Sequence, residues 1–392
     1  MIATKNLVKQ EQAPSFRIIG TVFRVIFGAV FVFSGFVKTI DPLGTTYKMS
    51  DYLQAMNLPQ PYCLILICSM LMIAAEFTIG LSLISGIKLK FFSWCALIFM
   101  LVMTPITLWL AVSNPVSDCG CFGDALVIGN WATFWKNIGL LILIIVILYC
   151  EKYHRQYLSP LPSWLVAASF FVFSVCISLY CLKHLPLIDF RPYKIGNNIP
   201  ELMKIPDNAS TAEYRTTFTY ENKNNGEQHE FHSLNDAPWN DTINWKFISQ
   251  NPVLIKKGFE PKIHDFVIES PEYGDITEEI FEDENFVFLF VMYDLSKTNT
   301  DKIEHLNDLY TNLSKKGIHV YALSASLNNE IEQFRQENNT EFEFCSTDPV
   351  ALKTMIRANP GVVVLKQGTV IDKWNAVDTK KAFAKFCKKN NF

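Results

Sequence analysis

The chain has 392 residues, a hydrophobic fraction of 49% and a positive mean hydropathy, high for a soluble protein and suggestive of a membrane half diluted by a soluble half, and it is long enough for two or three domains. Charge divides it: residues 1–183 hold 12 Lys/Arg against 7 Asp/Glu, and the remainder holds 23 against 31. The acidic second half argues against nucleic acid as a partner, and eight of ten cysteines lying before residue 182 argue against a small disulfide-stapled secreted domain.

Residues 1–16 are polar, with Lys5 and Lys9, and carry no small-residue cleavage site beside the first apolar run, so an uncleaved anchor is expected. Five apolar runs follow, Ile18–Val37, Cys63–Ile87, Phe91–Val112, Phe134–Cys150 and Trp164–Leu182. Each is near the roughly 20 residues that span hydrocarbon as a helix, which makes the lipid bilayer the first partner. Basic residues mark one side: Lys5, Lys9 and Arg17 before the first run, Lys88 and Lys90 after the second, Lys152 and Arg155 after the fourth. The opposite side has only Lys38 and Lys48 in one loop and nothing basic from Val112 to Phe134. This bias predicts a cytoplasmic N-terminus, an inner-membrane location, and everything after Leu182 on the outer, oxidising side.

Two ionisable residues fall inside the runs. Counted from the run centres, Arg24 and Glu76 differ in depth by a few ångström at ~1.5 Å per residue. Charges in lipid seek partners, so an Arg24–Glu76 contact is expected. The alternative is that Arg24 reaches back to the surface while Glu76 stays protonated.

Between the third and fourth runs stands Asp118-Cys119-Gly120-Cys121-Phe122-Gly123-Asp124, the most specific local signal in the chain. A disulfide between Cys119 and Cys121 closes a very small ring, which stores strain and is readily reduced. Cys63 and Cys181, at the outer ends of the second and fifth runs, are candidate partners at compatible depth. Asp118 and Asp124 are expected to raise the thiol pKa values and so to oppose a strong nucleophile. Redox cycling and a static structural role both stay open. A metal is disfavoured, because two thiolates without a further ligand make half a zinc site.

Residues 183–256 form a polar, β-rich connector. Tyr214–Tyr220 and Glu227–His232 flank Asn224-Asn225-Gly226 as a hairpin, and Trp245–Ile248 and Val253–Lys256 read as two short strands. From residue 257 strands and helices alternate: a strand over Phe286–Met292, a helix over Thr300–Lys316, a strand over Ile318–Leu323, and helices over Glu330–Asn338 and Val350–Arg357. A hairpin over Val362–Lys366 and Val370–Trp374 and a helix over Lys380–Lys389 follow, an α/β layout.

Two resemblances attach to these residues. The segment Gly258-Phe259-Glu260-Pro261-Lys262-Ile263-His264-Asp265-Phe266, with Asn359-Pro360 before the hairpin, resembles a thioredoxin-like domain of the peroxiredoxin and TlpA type over residues 257–392. That resemblance implies a cis-proline at Pro360 and a Cys-x-x-Cys after the Phe286–Met292 strand. The chain has Tyr293-Asp294-Leu295-Ser296-Lys297 there, so the domain is expected to bind or position and to lack redox chemistry of its own. Cys345 is expected to be packed as a small hydrophobe.

Residues 17–150 resemble the DoxX and MauE families of small multi-span proteins. The resemblance rests on Arg24, Gly28, Phe33-Ser34-Gly35, Lys38 and Asp41-Pro42 in the first run, on Glu76, and on Cys119-Gly120-Cys121-Phe122-Gly123. It implies a four-helix membrane domain, followed by a fifth span at 164–182, working in disulfide or electron transfer. In MauE-like proteins that work is tied to methylamine utilisation through maturation of a disulfide-rich exported partner. The appended thioredoxin-like domain resembles an architecture of Bacteroidetes DoxX-family proteins. The expectation is a membrane component of thiol–disulfide exchange acting on an exported protein partner, with a quinone as an admissible cofactor. The alternative is a non-enzymatic scaffold whose thioredoxin-like domain binds a partner.

Overall fold

The structure is a computed structural model that describes residues 2–116, 118–153, 159–206, 208–210, 213–233, 236–256, 258–264, 266–390 and 392. Arg155, Lys257 and Asp265, and the side chains of Lys5 and Lys9, lie outside the described residues. Contacts divide the chain into one unit of residues 1–196 with 267–392, and another of 197–266.

The first unit begins with helices α1 (Ile2–Ile40), α2 (Pro42–Ala55), α3 (Tyr62–Ser85), α4 (Leu89–Ser113), α5 (Asn130–Cys150) and α6 (Pro160–Lys183). Five of these, α1 from Phe16 onward and α3 to α6, are long and apolar enough to cross a membrane. Helix α2 was not expected. Its hydropathy is low, and it is set by Pro42 in the first turn and by Asp41, whose carboxylate accepts from the Gly44 N–H at 3.1 Å.

Helices α1 and α3 pack backbone to backbone through glycines. A Cβ on Gly35 would stand 2.8 Å from the Phe77 backbone, and one on Gly80 would stand 2.7 Å from the Val32 nitrogen. This contact sets the register and overturns the Arg24–Glu76 pairing. Glu76 takes Lys38 instead, Nζ to Oε2 at 2.9 Å with both side chains buried, while the Arg24 guanidinium lies beside Gly86 near the other end of α3. The reason is that the centres of the apolar runs are not level in the packed pair. Helix α1 also extends to Ile40, so Lys38 is an intrahelical residue and not a loop residue.

The second unit holds α7 (Ile199–Met203) and a sheet of order β2-β1-β3, with β1 (Glu213–Asn222), β2 (Gln228–Phe231) and β3 (Trp245–Lys256). The β1–β2 hairpin turns at Gly226, φ +73°. The two short strands expected after it are one strand. Pro252 sits within β3 opposite Thr216, which an edge strand tolerates.

The remainder of the first unit is a sheet of order β10-β9-β6-β7-β8-β4-β5. The strands are β4 (Glu269–Ser270), β5 (Gly274–Asp275), β6 (Val287–Val291), β7 (Val320–Ser324), β8 (Glu343–Ser346), β9 (Gly361–Lys366) and β10 (Thr369–Asn375). The helices are α8 (Thr277–Glu282), α9 (Ile303–Ser314), α10 (Asn328–Asn338), α11 (Pro349–Met355) and α12 (Thr379–Asn390). Parallel β6 and β7 joined through α9, then the antiparallel β9–β10 hairpin and α12, make the thioredoxin layout. Every residue of β6 is buried, as a central strand flanked on both faces requires. Phe288, Phe290, Leu306, Leu313, Phe342, Trp374 and Phe386 fill the core. The Asn359–Pro360 peptide is cis.

Candidate functional site: a thiol pair under a clamp

The loop between α4 and α5 carries Cys119 and Cys121, both buried, with Sγ atoms 3.0 Å apart. Gly120 at φ +64° makes the turn that brings them together, and a Cβ there would also press on Lys48 at 3.1 Å. Tyr52 Oη donates to the Cys119 carbonyl and Ser34 Oγ to the Cys121 carbonyl, each at 2.5 Å. These bonds tie the loop to α2 and α1. Leu110, Tyr52, Ile106, Trp109 and Val116 surround the pair with apolar contact.

The flanking carboxylates are not free to act on the sulfurs. Asp118 accepts from Lys48 Nζ at 2.7 Å and from the Gly120 N–H at 2.8 Å. Asp124 accepts from Arg357 Nη2 at 3.2 Å. The expectation that Asp118 and Asp124 raise both thiols is therefore corrected. The Cys121 thiol sits well below the usual thiol range, because Cys119 hydrogen-bonds its sulfur and Lys136 and Lys38 are near, against the opposing effects of burial and Glu76. Cys119 is pushed up by the same hydrogen bond and by burial. The pair is thus polarised, with negative charge favoured on Cys121.

Cys63 is exposed on α3 and Cys181 is buried on α6; neither joins the cluster around Cys119 and Cys121. Cys345 is fully buried in β8, its thiol pushed up to about 12 by burial and by Glu343. Among the described residues no group of three or more His, Cys, Asp and Glu side chains is placed to hold a metal ion.

The thioredoxin-like domain clamps this loop. Arg357 Nε reaches Asp41 Oδ1 and Oδ2 at 3.0 and 2.9 Å while its Nη2 holds Asp124, so one guanidinium joins the end of α1 to the thiol loop. Tyr293, just past β6, shares a 3.0 Å hydrogen bond with Tyr47 on α2. Burial and its tyrosine neighbour hold the Tyr293 hydroxyl above the usual phenol range. Behind the clamp, Asp189 accepts from Arg191 at 2.8 Å and from Lys373. A cavity of about 240 Å³ lies between these parts, walled by Lys38, Asp41, Lys48, Gly120, Asp124, Lys353 and Arg357 among others. On the other side of the loop, a void of about 20 Å³ borders Cys121, Ser34, Lys38, Glu76, Lys136 and Asn137.

Sequence reasoning placed the thiol loop but missed Tyr52, Lys48, Lys136 and Arg357. The first-run motif did contain Ser34, Lys38 and Asp41, without a role for any of them.

A multi-pass bundle with a buried thiol pair, joined to a thioredoxin-like domain, is the class that fold and site define. Residues 16–150 match the sequence model of the family described as methylamine utilisation protein MauE, so the bundle is MauE-like. Residues 214–257 match a family described as a domain of unknown function. The C-terminal region matches the thioredoxin domain of a thiol-disulfide oxidoreductase from Bacteroides vulgatus at 14% identity, over 31% of this chain and 91% of that one, with a TM-score of 0.26. It also matches StoA from Bacillus subtilis at 14% identity, over 30% of this chain and 95% of that one, with a TM-score of 0.24. No curated protein matches the chain.

Proposed function

We propose that this membrane protein exchanges electrons between Cys119–Cys121 and the thiols of an exported protein partner, as in the maturation of a disulfide-rich subunit in methylamine utilisation. The reading is carried by one observation: two buried sulfurs 3.0 Å apart, with charge favoured on Cys121. In the oxidising direction the partner loses two electrons and two protons and forms a disulfide, while the Cys119–Cys121 disulfide becomes two thiols. The basic bias of the loops supports an inner-membrane protein with this loop and the thioredoxin-like domain outside. For the reoxidant we propose a quinone, whose two-electron, two-proton chemistry matches a dithiol. The void beside Cys121 has room for a water but not for a ring, so contact requires the loop to open.

The test is acid-quenched trapping of free thiols in intact cells, resolved by mass spectrometry. A mixture of dithiol and disulfide at Cys119–Cys121 that follows growth conditions is expected. A pair that stays wholly reduced in oxidising medium refutes the reading.

A second reading has its own support. The Tyr293–Lys297 segment directly after β6 holds no cysteine, and Tyr293 there is engaged with Tyr47, so the thioredoxin-like domain serves as a scaffold part. Undisturbed partner maturation in a Cys119→Ser/Cys121→Ser strain, together with its loss on deleting residues 257–392, selects that scaffold.

A further inference from the structure

Three charged side chains from three helices converge on the Cys121 side of the thiol pair. Lys38 comes from α1, Glu76 from α3 and Lys136 from α5, and all border the same void as Cys121. Lys38 and Glu76 cancel one another through their 2.9 Å ion pair. Lys136, whose ammonium lies 4.5 Å from the Phe122 ring centroid, is left over, so this niche carries a net charge of +1 in a setting of Phe31, Phe99, Met100 and Leu140. Lys136 is half-exposed, and its unbalanced charge beside this apolar wall favours an anion there. The Cys121 sulfur is the group on that wall able to become one. The other charges near the loop are engaged elsewhere, Lys48 with Asp118 and Arg357 with Asp41 and Asp124. Ser34 and Asn137 add neutral dipoles, Cys119 lies against Cys121, and Tyr52 is committed to the Cys119 carbonyl.

We infer that Lys136, with the Lys38–Glu76 pair, forms a thiolate niche that makes Cys121 the attacking sulfur and Cys119 the resolving one. This rests on the thiol-exchange reading and assigns its two roles. In the reducing direction the Cys121 thiolate attacks a partner disulfide; a Cys121–partner S–S bond forms, and the partner's other sulfur leaves and takes a proton from the medium. Cys119 then gives up its proton and attacks the Cys121 sulfur. The partner's first sulfur leaves and takes that proton, so two electrons have passed to the partner and the Cys119–Cys121 disulfide remains. The opposite direction reverses these steps. Lys38, Glu76 and Lys136 are positioning residues, since they act through the sulfur.

The measurement is the pH profile of N-ethylmaleimide labelling of the reduced full chain in detergent, resolved at each cysteine by mass spectrometry. Cys121 should label at least tenfold faster than Cys119 at pH 7, with a midpoint at least one unit below the ~8.5 of a free thiol. Lys136→Met should raise that midpoint by about a unit, and Lys136→Arg should restore it. Glu76→Gln should move it the other way, because the niche gains net positive charge. Elution as a single species checks the fold of each variant, and Lys136→Met, at a half-exposed position, tests the niche if Glu76→Gln fails to fold. Faster labelling of Cys119, or a Lys136→Met midpoint equal to wild type, overturns the inference. The exchange reading fails separately, if the pair never becomes a disulfide in cells.

Discussion

Arg357 joins the thioredoxin-like domain to the bundle through two carboxylates at once. Its side chain is 8% exposed, against 19% for Asp41 and 41% for Asp124. Truncation to alanine removes the one cation in contact with both carboxylates. Breaking a buried ion pair in this way costs about 3–5 kcal/mol. The more exposed Asp124 can recruit water, so the lower end applies, about 3 kcal/mol. At 1.4 kcal/mol per decade that is roughly a hundredfold rise in the opening of the interface. Hydrogen exchange reads it at the Gly44 amide, bonded to Asp41 Oδ1, and at the Ile356 amide, bonded to the Leu352 carbonyl. Arg357→Lys keeps the charge but loses the two-pronged geometry, so about tenfold is expected there. If both amides in Arg357→Ala exchange within threefold of wild type, the guanidinium is not what joins the domain to the bundle.

Two further perturbations test the frame. Gly35→Ala places a methyl 2.8 Å from the Phe77 backbone, so α1 and α3 must part; a loss of about 1–3 kcal/mol in thermal or denaturant unfolding is expected, and a neutral result refutes the close contact. Lys373 is the surplus cation beside Arg191 and Asp189, and burial and Arg191 lower it to about 8, against an ordinary value near 10.5. The unfolded chain therefore keeps this proton to higher pH than the fold does. The resulting penalty is fully present below about pH 8 and is relieved between about 8 and 10.5, worth about 3 kcal/mol at most. Melting curves should rise across that window relative to Lys373→Met, and parallel curves sink the assignment.

How far the sequence spoke depended on whether a feature was local. The spans were legible because apolar runs near twenty residues have few alternatives, and β6, α9 and the final hairpin followed from period and turn residues. Lys38 was misread because its partner lies 38 positions away, and pairing depends on a register that Gly28, Gly35 and Gly80 set by close approach. Composition signals that glycines are present without saying which backbone they admit. Arg357 stood only as the last residue of an expected helix; its partners Asp41 and Asp124 lie 316 and 233 residues away. Helix α2 was missed because a weakly apolar segment of 14 residues, between two stronger signals, has no apolar stripe of its own.

Helix α2 decides what the thioredoxin-like domain does for the thiols. Its Tyr52 holds the Cys119 carbonyl, its Lys48 holds Asp118, and its Tyr47 holds Tyr293. Lys353 lies 5.4 Å from the Tyr47 ring centroid and 6.0 Å from that of Tyr293, with Arg357 also 5.4 Å from Tyr47. The strand end that would present a dithiol in a thioredoxin-type enzyme is therefore spent on gripping α2, and α2 in turn grips the loop. Force applied at Tyr293 should reach the sulfurs by this route. Tyr293→Ala removes the hydroxyl bond and one ring under Lys353, a loss of about 1–3 kcal/mol for a half-buried, hydrogen-bonded phenol. Labelling of Cys119 and Cys121 by N-ethylmaleimide should then rise severalfold while the order of the two cysteines stays the same. Unchanged labelling in a variant that elutes as a single species would mean that the domain sits beside the thiol loop without governing access to it.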